Sequence, residues 1–124
     1  MPPHDGLTLL ESSGEAGTYR IRLRLEPDSP VLAGHFPGHP ILPGIAHLGL
    51  ALDAARVLEE RALTLAALRG VRFRRPVRPG DVVDLVVARG AAPGDVRFEL
   101  RSAEELASSG TLIVTMAPGT DVQP

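Results

Sequence analysis

The sequence predicts a single α+β domain in which an antiparallel sheet covers one helix. The chain has 124 residues, of which 44% are apolar and 23% are charged, a composition typical of one folded domain. Apolar and polar residues alternate in several short segments, as they do in strands with one buried face. One stretch has its apolar residues at helical spacing instead. The resulting order is strand, loop, helix and then four strands.

The clearest strand near the beginning of the chain is Thr18–Leu25, which reads TYRIRLRL. Arginine occupies every second position between apolar side chains, so one face is expected to be buried and the other to meet water. Leu7–Leu10 is a weaker candidate for a strand or a short helix. Pro27–Pro43 contains five prolines as well as glycines, which exclude a helix or a central strand. It is predicted to be a long loop, and such loops are often functional.

A helix is predicted from Gly44 to about Arg61. Its apolar residues recur at helical spacing, at Ile45, Leu48, Leu52, Ala55 and Leu58. Pro43 precedes the first turn, where its restricted φ and missing N–H are tolerated. Many other residues of this stretch are alanine or glycine, which makes the helix slim enough for a sheet to wrap closely around it.

Four strands are predicted after the helix, separated by glycine-containing segments that are typical of turns. The predicted strands are Ala66–Phe73, Val82–Arg89, Val96–Arg101 and Thr111–Met116. The predicted turns are Arg78–Asp81, Gly90–Asp95 and Ser108–Gly110. The domain is thus expected to occupy residues 1–117, with residues 118–124 as a loose tail.

The composition excludes several classes of function. The formal net charge is −2, whereas nucleic-acid-binding domains are usually basic, and four aromatic residues are too few for a base-stacking surface. Without cysteine there is no disulfide, thiolate zinc site or cysteine nucleophile. No apolar run reaches the roughly 20 residues that span a membrane, and the N-terminus lacks the order of a signal peptide. A cytoplasmic protein is therefore expected.

The segment Gly34–Gly44, which reads GHFPGHPILPG, carries the residues suited to catalysis. Its prolines and glycines constrain the backbone and place His35 just ahead of the helix. The first turn of a helix has unpaired N–H groups and the positive end of the helix dipole, which stabilise a developing oxyanion. Histidine is a suitable general base near neutral pH. The segment therefore predicts a general base beside an oxyanion site.

This segment resembles the active-site motif of the hot-dog 3-hydroxyacyl-(acyl carrier protein) dehydratases of the FabA/FabZ type. The segment Val71–Asp81, VRFRRPVRPGD, is similar to the strand and turn that follow the central helix in that family. ELASSG, before the last strand, is similar to its final hairpin. The resemblance implies the hot-dog fold, in which a five- or six-stranded antiparallel sheet wraps around one long helix. It also implies a homodimer, or a trimer of dimers, with the active site and an acyl tunnel at the subunit interface.

The resemblance further implies a reaction. A 3-hydroxyacyl thioester, carried by acyl carrier protein or CoA, would lose water to give a 2-enoyl thioester in fatty-acid or polyketide-type metabolism. His35 would take the proton next to the thioester, and a carboxylate from the partner's helix would help the hydroxyl group leave. The Gly44 N–H would bind the thioester carbonyl, and Gly38 would contribute to substrate binding. No metal and no organic cofactor is implied.

The sequence departs from the family pattern at the helix carboxylate. That carboxylate lies fourteen residues after the motif histidine, where this chain has Gly49. Asp53 follows one turn later, on the same helix face but about 6 Å further along the axis. His47 is an additional polar residue of this helix. Asp53 could supply the acid, His47 could do so, or the site could bind or cleave an acyl thioester without dehydrating it.

Several of these residues have structural alternatives. Asp53 could pair with a nearby arginine such as Arg56, and His47 could form a hydrogen bond within the core. His35, His39 and His47 do not form a zinc triad pattern, because prolines interrupt their spacing. An arginine cluster could dock an acidic carrier protein, bind the phosphate of a pantetheine arm, or cover a solvated sheet face. The cluster consists of Arg72, Arg74, Arg75 and Arg78.

Overall fold

The computed structural model describes residues 6–28 and 41–116, and within these ranges the chain forms six strands and one helix. The elements are β1 (Leu7–Glu15), β2 (Thr18–Leu25), α1 (Gly44–Glu59), β3 (Leu63–Phe73), β4 (Val82–Arg89), β5 (Asp95–Ser102) and β6 (Glu105–Met116). The predicted α+β class is confirmed. The predicted domain boundary at residue 117 and the tail lie outside the described residues.

All six strands join one antiparallel sheet in the order β1-β2-β4-β5-β6-β3. The strands β1 and β3 are therefore its edges. Helix α1 connects β2, near one edge, to β3 at the other, so the connection runs across the sheet. Within the described part of the chain, no helix is long and apolar enough to cross a membrane.

The helix packs against one face of the sheet, and the residues that the sequence predicts for this contact supply only part of it: Ala55 is fully buried, whereas Leu58 is partly buried against the core. Ile45 is 77% exposed, and Leu48 and Leu52 are only partly buried. The buried side chains of α1 are His47, Leu50, Ala51, Ala54 and Ala55. Small alanine side chains allow the sheet to approach the helix closely, so burial is most complete on the alanine-rich face, and Ile45 lies outside it.

Only β2 and β4 have the predicted ends, and the clearest differences outside β6 are in α1 and β1. The helix ends at Glu59 because Glu60 adopts a left-handed conformation with φ of 56°, and its N–H donates to the Val57 carbonyl. Leu7–Leu10 forms a strand, as one of the two predicted alternatives, and this strand continues to Glu15. Its length is determined by pairing with β2 along the whole segment, which the side-chain pattern of β1 alone does not indicate.

The predicted turn at Ser108–Gly110 is wrong, because these residues lie inside β6. The hairpin turn is formed by Ala103 and Glu104, which have φ values of 51° and 66°. Residues other than glycine rarely adopt this left-handed conformation, so the turn has no clear sequence signal. Gly110 has a packing role instead, since a Cβ atom there would lie 2.8 Å from Val71 Cγ2.

Replacing Gly110 with alanine is expected to lower the free energy of unfolding by about 1–3 kcal/mol, because the added methyl group overlaps Val71. Gly14→Ala is the matched control, since a methyl group there would meet Tyr19 Cδ1 at an ordinary 3.7 Å. Urea denaturation of both variants measures the difference. Equal losses of stability would show that the close approach of β3 to β6 does not depend on Gly110.

Candidate active site

The start of α1 provides a backbone donor for a ligand. Pro43 precedes the helix in an extended conformation, with φ of −62° and ψ of 149°, and there is no side-chain cap. The Pro43 carbonyl accepts hydrogen bonds from the N–H groups of Ala46 and His47. Within residues 6–28 and 41–116, no acceptor is hydrogen-bonded to the N–H of Gly44. This donor and the positive end of the helix dipole together favour an anion or a polarised carbonyl.

A cavity of about 440 Å³ opens beside this helix start. Its described lining residues are Ile41, Leu42, Gly44, His47, Phe73, Arg74, Arg75 and Pro76. The walls are mostly apolar, with two arginines among them. An apolar cavity with a backbone donor in its wall suits an acyl chain that has a polar carbonyl at one end.

The aromatic ring of Phe73 lies directly against Gly44. A Cβ atom added at Gly44 would be 3.0 Å from Phe73 Cζ, closer than ordinary van der Waals contact. Phe73 is nevertheless 52% exposed, and it lines the cavity. Glycine at the first position of the helix therefore lets the ring pack closely over the helix start while part of its surface stays accessible.

His47 lies in the same cavity wall but is almost fully buried. Its Nδ1 shares a hydrogen bond of 2.8 Å with Ser108 Oγ, and its ring meets the Phe73 ring edge-on. Burial lowers the pKa of His47 below its ordinary value because the charged imidazolium is disfavoured there, and a backbone hydrogen bond with Leu42 opposes this shift. The imidazole is therefore neutral at pH 7 and bonded within the protein.

Asp53 lies further along the helix than Gly44 and His47. It lies nine residues after Gly44, about 13 Å along the helix axis, and it does not line the described cavity wall. Its carboxylate accepts a hydrogen bond of 2.9 Å from Arg56 Nη1. The same guanidinium donates to the Leu63 carbonyl, which ties the end of α1 to the start of β3. The pairing with Arg56, expected from the sequence as the structural alternative, is thus present.

The segment after β3 brings two members of the arginine cluster to the cavity. The N–H groups of Arg74 and Arg75 both donate to the Ala107 carbonyl of β6. The Arg75 side chain forms an ion pair with Glu105. Backbone anchoring on β6 therefore holds this segment beside the helix start, and the side chains of the whole cluster are exposed.

The structure thus brings Gly44 and His47 together in one cavity wall, and Asp53 is not among the described residues that line it. His35, Gly38 and His39 lie outside the described residues. Gly49 is partly buried on the helix. Among the residues described, no cluster of three or more histidines, aspartates and glutamates could hold a metal ion.

Two residues of the site, Ser108 and Phe73, are not predicted from the sequence. The sequence predicts a turn at Ser108, although this residue is in phase with Leu112 and Val114, which alternate along the same strand. When this alternation is continued towards the N-terminus of the strand, it predicts that the Ser108 side chain lies on the buried face. The contact of Phe73 with the helix has no comparable local signal, because it depends on how β3 ends relative to α1.

The stability of the protein is expected to depend on the protonation of His47. Because burial lowers its pKa in the folded state, the unfolded chain takes up this proton more readily. The contribution to stability is therefore complete above about pH 6.5, the ordinary pKa, and is lost as the pH falls towards the folded-state pKa. Thermal unfolding at about pH 7.5 and 5.5 measures this loss. His47→Asn should lose less stability over the same interval, and equal losses would contradict the assignment.

Comparisons with known proteins agree with the motifs and the fold. A family model described as "ApeI-like: ApeI dehydratase" matches residues 11–111. The 3-hydroxyacyl-(acyl-carrier-protein) dehydratase FabZ of Thermomicrobium roseum is 33% identical over 99 residues, which cover 72% of this chain and 66% of that protein. The FabZ dehydratase of a Polaromonas species is 34% identical over 103 residues, covering 72% and 70%. The chain thus spans about two thirds of the length of these relatives.

The fold is also similar to that of a solved structure, the dehydratase heterocomplex ApeI:P from Xenorhabdus doucetiae. The TM-score is 0.79 at 23% sequence identity, and the match covers 86% of this chain and 95% of that one. The six-stranded antiparallel sheet with one helix across it is therefore the hot-dog fold.

Proposed function

The chain belongs to the ApeI-like family of hot-dog dehydratases, and from this premise we propose that it removes water from a 3-hydroxyacyl thioester to give a 2-enoyl thioester. The observation that carries the proposal is the helix start, where the Gly44 N–H meets a mostly apolar cavity. The acyl chain would occupy the cavity while the thioester carbonyl accepts a hydrogen bond from Gly44. This donor stabilises the enolate oxygen that develops when the neighbouring carbon loses its proton.

In the proposed mechanism His35 is the general base and removes that proton. The electron pair forms the double bond between the α and β carbons as the bond to the β-hydroxyl breaks. An acid protonates the departing oxygen, which leaves as water. Gly38 is assigned to substrate binding within the same motif as His35. The elimination involves no net oxidation, so it requires no redox cofactor.

The acid is proposed to be Asp53 of a second copy of the chain. Within one protomer Asp53 is about 13 Å along the axis from Gly44, in the other half of the helix. Two helices that pack antiparallel about a twofold axis place the later half of one beside the start of the other. The second copy would thereby supply the carboxylate that Gly49 does not provide.

Two surfaces support pairing with a second copy. The strand β3 is a sheet edge, which leaves backbone groups able to pair with another strand. On the helix, Ile45 is largely exposed, and next to it Leu48 and Leu52 are only partly buried against the core. We propose a homodimer, alone or as part of a trimer of dimers, with acyl carrier protein or CoA thioesters as substrates. The similar Xenorhabdus structure is a heterocomplex, so the alternative partner is a different chain.

Two other functions use the same cavity. In an acyl thioesterase, Asp53 would activate water and a free thiol would be released. In a binding module, the protein would hold an acyl thioester or its carrier without turnover, and the glycine at position 49 supports this alternative. Dehydration releases no thiol, so a thiol-trapping reagent separates these functions from the proposed one.

The activity prediction concerns His35. The purified protein should convert short and medium 3-hydroxyacyl thioesters into products that absorb in the enoyl-thioester band. His35→Ala should lower kcat by at least about 100-fold, because the general base is removed. His39→Ala is the matched control in the same segment and should stay within about threefold of the wild type. Unchanged substrate with a folded wild-type protein would refute dehydration, and release of thiol would indicate a thioesterase.

The dimer prediction concerns the exposed face of α1. Ile45→Glu should shift the protein from dimer to monomer at micromolar concentration, because it introduces a charge into the proposed apolar interface. Leu9→Glu is the control, since Leu9 is also a large exposed apolar side chain, 48% exposed, on the opposite sheet edge. Sedimentation velocity measures both variants. A monomeric wild type, or dissociation by Leu9→Glu alone, would contradict the proposed interface.

A further inference from the structure

The hydrogen bond between His47 and Ser108 has no part in the proposed elimination. Within the described ranges, His47 is the only buried titratable side chain. A serine and a histidine 2.8 Å apart resemble a nucleophile with its general base. Ser108, however, is 0% exposed and does not line the described cavity wall, so a substrate has no access to its hydroxyl group. The pair is therefore not a nucleophilic dyad.

The ring of His47 also contacts the ring of Phe73. The centres of the two rings are 5.3 Å apart and their planes meet at 83°, the edge-to-face arrangement that aromatic rings favour. Ser108 on β6 and the backbone of Leu42 hold the imidazole from other directions. His47 cannot turn without losing the hydrogen bond of a buried polar group. It is therefore a rigid support for the Phe73 ring.

Gly44 and His47 contact the same ring from successive positions on one face of the helix. They are three residues apart, so they lie one above the other in the first turn. The Phe73 ring packs against the Cα of Gly44 and the edge of His47, and its exposed part belongs to the cavity wall. The position of this ring thus determines how much room the cavity has beside the Gly44 N–H.

We propose that His47 is a positioning residue that holds the Phe73 ring beside the Gly44 N–H, so that the cavity accepts acyl thioesters without a branch on the carbon next to the carbonyl. The inference rests on the proposed function, because it assumes that Gly44 binds the thioester carbonyl. With the carbonyl at Gly44, the next carbon of the substrate lies beside Phe73. A methyl branch on that carbon would then collide with the ring, whereas a straight chain passes it.

Two variants test the aromatic ring of His47 separately from its hydrogen bond to Ser108. His47→Asn keeps an amide that can bond to Ser108 but removes the ring that contacts Phe73. The double variant with His47→Phe and Ser108→Ala keeps an aromatic edge at this place and leaves no buried hydroxyl group without a partner. Melting temperatures establish that both variants are folded before their kinetics are compared.

The kinetic experiment measures kcat/KM for a straight 3-hydroxyacyl thioester and for the same compound with a 2-methyl branch. The wild type should prefer the straight substrate by at least about tenfold, as expected when one methyl group collides with a rigid wall. The double variant should keep this preference, and His47→Asn should lose most of it through KM for the branched substrate. Retained preference in His47→Asn would overturn the proposal. A loss of kcat beyond about 100-fold in the folded double variant would also overturn it, because His47 would then act as an acid.

Aromatic NMR spectra of Phe73 test the positioning without any turnover. The ring signals should move in His47→Asn and stay near their wild-type positions in the double variant. If this result accompanies an inactive wild type, the proposed function fails while the support of Phe73 by His47 stands. If the signals of His47→Asn match those of an active wild type, the positioning is wrong while the proposed function stands.

Discussion

The close packing of a slim helix face against the sheet is the contact on which the rest of the structure depends. On the helix side, most of this contact is formed by four completely buried side chains, Leu50, Ala51, Ala54 and Ala55. Because these four side chains point towards the sheet, the larger Ile45 lies on a different face of α1, together with Leu48 and Leu52. The same packing directs the first turn, with the Gly44 N–H, to the cavity beside β3. Within residues 6–28 and 41–116, the core therefore leaves the helix with one incompletely covered apolar face and one available donor.

These two features determine the proposed chemistry. Elimination of water needs a base, an acid and a donor for the enolate oxygen, and a single protomer places only the donor in its described cavity wall. His47 lies in the same cavity wall as the Gly44 N–H. It is neutral at pH 7 and hydrogen-bonded to Ser108, which fits a structural support better than a proton donor. Asp53 is in the other half of the helix. In the proposed dimer, a second copy that covers the apolar helix face would bring such a carboxylate to the cavity, so assembly and catalysis would depend on the same surface.

Much of the fold could be predicted because its strongest signals are local. The strands β2 and β4 have the predicted ends, since alternation of apolar and polar side chains reflects their single buried face. The sequence does not predict the turn at Ala103 and Glu104, because neither residue prefers a left-handed backbone. Closure of the hairpin imposes that conformation. In the site, Gly44 and His47 could be predicted to lie close together from helical spacing. The hydrogen bond of His47 to Ser108 joins residues 61 positions apart, and only the register of the sheet brings them together.

The central claim is that one site uses residues from two copies, and mixing two inactive variants tests it most directly. His35→Ala and Asp53→Asn should each be inactive alone, because each removes one of the two proton-transfer groups from every site. After the subunits are exchanged at equal concentrations, about a quarter of the wild-type activity should return, since half of the dimers are mixed and each of these has one intact site. No recovery in a mixture shown by mass spectrometry to contain mixed dimers would contradict the shared site. Full activity of Asp53→Asn alone would show that another group supplies the acid.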